Sequence, residues 1–305
     1  MAEPFSIFDP PQDEELYMIA GWRQWVDGGA VSSGLPRYLR RKFRARRIAE
    51  MDSHGYYLFQ LPGTQHFMRP IVRHNEGHPE GIHTPRNQFH YTSVDGKGLI
   101  IFSGEEPHLD VERYSEAFLN AARALNVKRI VISGGIYGEV PYDKERFVTS
   151  IFSLPHMRKE VSSLVVNLSN YQGPGSIGSY ICQRAGENEI ELVGLYTFSP
   201  IFQLANMDDF NENLHIEKDY MAWLGVMRRV NHMFGFDLDL TDLESRASRQ
   251  IKKLDEKVAE LDEANPELGV RDYIQRISDE FEEETFTPLE DVWQEELRRL
   301  GDKYE

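Results

Sequence analysis

Three carboxylates stand where a carboxylate can do chemistry. Asp27 sits in "WVDGG", after the apolar run "ELYMIAGW"; Glu105 and Glu106 sit in "SGEEP", after "GLIIFSG" and before Pro107. Each run reads as a buried strand, so each acid belongs at a strand's carboxyl end, where open α/β sheets place their ligands. Glu105 and Glu106 suit a general acid–base pair. All three equally suit capping of the helix that follows, where a carboxylate meets free backbone N–H groups. Gly28 and Gly29 beside Asp27, and Pro107 after Glu106, complete the ligand-binding candidates at this rim.

A second stretch, "IVISGGIYGEVPY", runs a strand into glycines and has the outline of a phosphate cradle. It lacks the lysine that must follow the glycines of a P-loop. The order Gly134-Gly135-x-x-Gly138, followed by Val140-Pro141, fails the dinucleotide fingerprint and points to extended chain. Gly134, Gly135 and Pro141 are therefore expected in a structural turn that still borders the ligand crevice. Histidines at 66, 74, 78, 83 and 90 lack zinc-helix spacing and fall among glycines and a proline, so a polar loop is expected and no metal site. Ser176 in "GPGSIG" fails the nucleophile elbow, because Pro174 stands where glycine is needed. Cys182, the only cysteine, excludes an internal disulfide and reads as a small buried side chain on a helix. No catalytic set emerges, and no cofactor is expected.

Strand-like Val/Ile/Leu runs alternate with helical patterns over most of the chain. "ELYMIAGW", "GLIIFSG", "KRIVISGG", "SSLVVNLS" and "IELVGLYTF" read as strands. "GGAVSSGLPRYLRRKF" and "VERYSEAFLNAARALNV" read as helices, the second with Tyr114, Phe118, Ala121 and Leu125 on one face. Continuous apolar strands separated by helices imply a largely parallel buried sheet covered on both sides. Residues 1–14 read as an N-terminal extension, 15–236 as the α/β domain and 237–305 as an acidic helical extension. In the extension "TDLE" has the capping-box pattern, and Ala247, Ile251, Leu254, Val258 and Leu261 make a narrow coiled-coil-like stripe. That stripe must pack on the α/β core or on another subunit.

Of the net charge of −16, the extension carries −12, from 22 acidic and 10 basic residues. Such a tail repels nucleic acid and favours basic protein partners. Arg37–Arg47 packs seven basic residues into eleven and reads as the solvated end of a helix, with an acidic tail of a neighbouring subunit as the next reading. No apolar run is long enough to span a bilayer, and the N-terminus lacks a signal-peptide pattern, so a cytoplasmic protein without membrane or nucleic-acid partners is expected.

Taken in order, "GWRQWVDGGAVSSGLPRYL", "MRPIVRHNEGHPEGIHTPRNQFHY", "LIIFSGEEPHLDVERYSEAFLNAARALNVKRIVISGG", "EVPY", "GPGSIGSYI" and "LVGLYTFSP" resemble the proteasome assembly chaperone 2 family over residues 15–236. The helical tail is similar to the extension of bacterial members. The resemblance implies a three-layer phosphorylase/hydrolase-like fold, no established enzymatic reaction, homo-oligomerisation and, in some members, docking on the proteasome core particle. Such docking commonly uses a C-terminal hydrophobic–tyrosine–any tripeptide; here Lys303-Tyr304-Glu305 keeps the tyrosine, which makes Tyr304 and Glu305 the docking candidates. Where relatives often carry His-Thr-Arg-Pro after the Val-Pro, this chain has Tyr142-Asp143-Lys144-Glu145-Arg146-Phe147. The expected role is non-enzymatic protein assembly or scaffolding. The rival is a small-molecule enzyme or sensor using the rim of Asp27, Glu105, Glu106 and Gly135.

Overall fold

The computed structural model describes residues 4–59, 70–94, 96–202 and 214–286. In chain order these form β1 (Phe5–Ile7), β2 (Leu16–Arg23), α1 (Gly34–Lys42), β3 (Arg46–Met51), β4 (Ile71–Asn75), β5 (His78–His83), β6 (Asn87–Val94) and β7 (Lys97–Glu105). There follow α2 (Val111–Ala124), β8 (Val127–Gly138), β9 (Val148–Phe152), α3 (Arg158–Ser162), β10 (Asn167–Leu168), α4 (Ile177–Glu187), β11 (Leu192–Phe202) and β12 (Leu214–His215). Helices α5 (Tyr220–Phe234), α6 (Thr241–Ala264) and α7 (Val270–Glu280) complete the described chain.

The central sheet runs β1-β3-β6-β7-β2-β8-β11-β9-β10, with β12 beside β11. Its middle four strands, β7-β2-β8-β11, are parallel. Antiparallel pairing extends the sheet through β6, β3 and β1 on one side and through β9 on the other. Parallel strands need cover on both faces, which is why these runs are apolar throughout rather than alternating. On one face Met18, Ala20, Trp22, Ile100, Phe102, Ile130 and Ile132 pack under α2 and α4. On the other Ile19, Leu99, Ile101, Val131, Val193 and Leu195 pack under α1, α3 and α5. The result is a three-layer α/β/α domain, as expected.

The extension folds back on its own chain. Leu243 and Ala247 of α6 are buried, and Val258, Val270 and Ile274 join Tyr142, Phe202 and Ile216 in a third apolar cluster. Ile251, Leu254 and Leu261 pack at its edge, so the coiled-coil-like stripe finds its partners within the chain. Thr241 is not the residue before the helix but its first residue. Its N–H and hydroxyl both donate to Asp239 Oδ1, so aspartate does the work expected of a capping box.

"SSLVVNLS" is corrected: only Asn167–Leu168 pairs as a strand, because Val165 adopts φ 51°, a left-handed conformation that ends extended chain. The buried Arg229 pins that turn, Nε donating to the Leu164 carbonyl at 2.9 Å and Nη2 to that of Val165 at 2.8 Å. Strands β4 and β5 form a separate two-stranded hairpin, and every residue of β4 is exposed. His74 and His78 lie on it, whereas His90 is buried on β6; His66 lies outside the described residues. Among the described residues no helix is long and apolar enough to cross a membrane.

Candidate functional site

The carboxyl ends of β2, β7 and β8 bring most of the singled-out residues around one turn, residues 25–29. Asp27 Oδ1 accepts the backbone N–H groups of Ser32 (2.9 Å) and Ser33 (2.8 Å), which closes the turn leading into α1. Burial pushes its pKa up despite these hydrogen bonds. Glu106 reaches the same turn from β7. Its Oε2 accepts the Trp25 N–H at 3.1 Å, and its Oε1 accepts the Ile177 N–H at 2.9 Å, at the start of α4. One carboxylate thus ties the end of β2 to the helix on the opposite layer. Ser176 caps that helix, its hydroxyl accepting from the Ser179 N–H.

Gly134 and Gly135 are not in a turn: β8 continues through both to Gly138, paired with Tyr196 and Thr197 of β11. Asp27 forms a parallel bridge with Gly135, and the Gly135 N–H donates to the Val26 carbonyl at 3.2 Å. A Cβ on Gly135 would lie 1.8 Å from the Gly28 oxygen, so the glycine admits a neighbouring backbone rather than a phosphate or a bend. Gly29 adopts φ 60°, and a Cβ there would meet Ser199 Oγ at 2.3 Å. Its carbonyl accepts from the Asp219 N–H (2.9 Å) and from Trp223 Nε1 (3.1 Å).

Asp219 leads to a residue that sequence reasoning missed. Its Oδ2 pairs with Arg146 Nε at 2.8 Å, the two side chains being 0% and 1% exposed, while its Oδ1 caps α5 at the Ala222 N–H. Arg146 also donates to the carbonyls of Pro141 (3.0 Å), Lys144 (2.6 Å) and Tyr142 (3.1 Å). A buried charge persists only when paired and fully hydrogen-bonded, and this one shapes the whole 141–146 loop. The only sequence signal was the departure from the family's pattern at Tyr142–Phe147.

Glu105 faces a different side. Its backbone is held by Asn87 Oδ1 (3.3 Å) and the Tyr57 hydroxyl (2.8 Å), and its carboxylate lies 3.7 Å from Arg23 Nε. Tyr114 joins the same network, accepting from Trp22 Nε1 and donating to Asn87 Oδ1, both at 2.8 Å. Pro107 follows half-buried. Cys182 is buried on α4, its thiol pushed up to about 12 by burial. Tyr304 and Glu305 lie outside the described residues.

The model of the PAC2 family matches residues 22–258. The chain belongs to the PAC2 family. Solved structures of similar fold include a Mycobacterium tuberculosis proteasome-assembly chaperone homologue, 19% identical with a TM-score of 0.67, covering 80% of this chain and 96% of that one. A PAC2 family protein from Streptomyces avermitilis is 21% identical with a TM-score of 0.66, covering 79% and 95%. An archaeal proteasome activator of Pyrococcus furiosus is 17% identical with a TM-score of 0.58, covering 83% and 97%. No curated protein matches the chain by sequence. At these identities the neighbours establish the α/β fold of the PAC2 chain and nothing finer.

Proposed function

We propose that this protein is a non-enzymatic assembly factor that binds copies of itself and docks on a proteasome core particle, as a cytoplasmic scaffold. Its membership of the PAC2 family, beside neighbours described as a proteasome-assembly chaperone homologue and a proteasome activator, supports the assembly role. The rim supports it too: the oxygens of Asp27 and Glu106 face backbone N–H groups, so these acids act as braces.

The β4–β5 hairpin supports self-association and is the observation that carries it. A lone two-stranded hairpin is marginal in water, yet this one exposes Ile71 (62%), Val72 (47%) and Ile82 (62%), with Val72 directly opposite Ile82. Val72 and Ile82 share one face of the strand pair while Ile71 stands on the other, and exposed apolar side chains of this kind mark a protein-binding surface. The second copy is the occupant we assign to it. Docking on the proteasome is assigned to Tyr304 and Glu305, since a tyrosine beside a carboxylate suits a basic pocket.

Native mass spectrometry of the full-length chain, captured gently from its own cells, tests the reading. A homo-oligomer carrying proteasome subunits is expected. Val72→Asp with Ile82→Asp should leave monomers, and removal of Tyr304 and Glu305 should release the proteasome subunits alone. A monomer without proteasome subunits in the unaltered chain overturns the proposal.

A further inference from the structure

A cleft of about 480 Å³ opens on the α1 side of the sheet, between α1 and the base of the β4–β5 hairpin. It sits at the carboxyl ends of the parallel strands β2 and β7, the place where open α/β sheets hold ligands. Arginines reach it from three separate segments: Arg23 from the end of β2, Arg37 and Arg40 from α1, and Arg86 from the connection into β6. Glu105 is the one acid lining it among the described residues. Its pairing with Arg23 is loose, at 3.7 Å with the arginine side chain 66% exposed.

The other three arginines of the cleft make no ion pair among the described residues. Of the basic run 37–47, Lys42 pairs with Asp242, Arg46 with Asp9 and Arg47 with Glu50. Arg37 turns to the Ser33 carbonyl and hydroxyl, both at 3.1 Å. Arg40 and Arg86 have no carboxylate in ion-pair range among the described residues. Arg40 is half-buried, and burial, then Arg41 and Arg37, push its pKa below the ordinary arginine value. Ser103 lies in the same cleft, with its buried hydroxyl lacking a hydrogen-bond partner among the described residues. A half-buried guanidinium among like charges beside an orphan hydroxyl is costly unless an anion completes it.

We propose that this cleft is a binding site for a small phosphorylated metabolite, its phosphate or diphosphate group held by Arg23, Arg37, Arg40 and Arg86 with Ser103 as a further donor. The volume is that of a small-molecule site. Guanidinium forks match phosphate oxygens bidentately, and four of them against one glutamate exceed what a single carboxylate neutralises. Among the described residues no aromatic side chain lines the cleft. The site touches none of Asp27, Glu106 or Gly135, and it shares Ile71 with the hairpin assigned above to self-association.

Isothermal titration of the full-length protein with inorganic pyrophosphate, at low ionic strength and at about 0.5 M, where screening weakens exposed charge contacts, tests this. Saturable one-to-one binding is expected. Arg86→Gln, at an exposed position, and Arg40→Gln should each weaken it about tenfold or more. Glu105→Gln should tighten it by removing the opposing charge, and Arg44→Gln, from the same basic run but outside the cleft, should change nothing. A helical circular dichroism spectrum shows whether Arg40→Gln folds; Arg86→Gln decides if it does not. Absence of saturation, or binding that Arg86→Gln and Arg44→Gln weaken equally, overturns the site. Displacement of pyrophosphate by a peptide of the chain's own acidic segment 277–286, binding more tightly than pyrophosphate, overturns the metabolite assignment and gives the cleft to the tail of a second copy.

Discussion

Gly135 and Asp27 share a bridge, and each can be altered with an outcome that separates close packing from ligand chemistry. A methyl group on Gly135 collides with the Gly28 carbonyl, which belongs to a backbone already tied to β8 and cannot retreat. Gly135→Ala is expected to cost about 3 kcal/mol by overpacking, whereas Gly138→Ala meets only the Phe198 ring, a side chain that can shift, at 3.1 Å and should cost less than about 1 kcal/mol. Urea denaturation of the two variants checks the contrast. Asp27 carries a pH prediction of definite sign. Its folded pKa lies above the ordinary aspartate value because burial disfavours the charge. Below the ordinary value both states are protonated and no stability is lost. As pH rises through the folded pKa, the unfolded chain gives up its proton more readily, and stability falls. Asp27→Asn keeps the acceptor for Ser32 and Ser33 without the charge. Its melting temperature relative to the unaltered protein should therefore climb as pH rises above the ordinary aspartate range and level off once pH passes the raised folded pKa.

At the scale of elements, the strands buried on both faces were legible because burial on two sides leaves no room for polar residues: β2, β7, β8 and β11 each show as an unbroken apolar run. Strands β3, β6 and β9 lie toward the sheet's flanks, mix polar with apolar residues and gave no such signal. Gly134 and Gly135 misled for a related reason, since glycine signals a turn in sequence but here marks backbone pressed against a strand. Asp27, Gly28 and Glu106 were placed correctly at strand ends, while Arg146 and Asp219, 73 residues apart, could be joined only by the fold. The α6–α7 hairpin was legible as helices but not as to what they cover. Its seat against Tyr142, Phe202 and Ile216 makes Ile274 a keystone. Ile274→Ala should cost about 2–4 kcal/mol of local stability. Hydrogen exchange should then show α7 amides losing protection while those of β2 and β8 keep theirs, because sub-global openings follow packing units.

At the scale of the molecule, charge and packing pull in opposite directions. Apolar contacts and specific polar links hold the extension to the α/β domain: Arg228 joins Glu145 to Glu244, and the hydroxyls of Tyr38, Tyr142 and Tyr273 meet Asp242, Asp255 and Glu139. Those links join residues on either side of 237, so the two parts should melt together, with calorimetric and van't Hoff enthalpies equal. Against them stands the −12 of the extension within a total of −16. Most of the described ion pairs have at least one partner that is a third or more exposed, and exposed pairs contribute little each. Self-repulsion acts over longer distances and is what salt screens most effectively, since the screening length shortens from about 10 Å at 0.1 M to about 3 Å at 1 M. Differential scanning calorimetry in low and in 0.5 M sodium chloride therefore has a signed outcome: one transition in both, moving up by a few degrees with salt. A downward shift would mean that the cross-boundary ion pairs outweigh the repulsion. Two transitions at low salt that merge at high salt would locate the repulsion in the extension, with the apolar seat at Ile274 too weak to hold it alone.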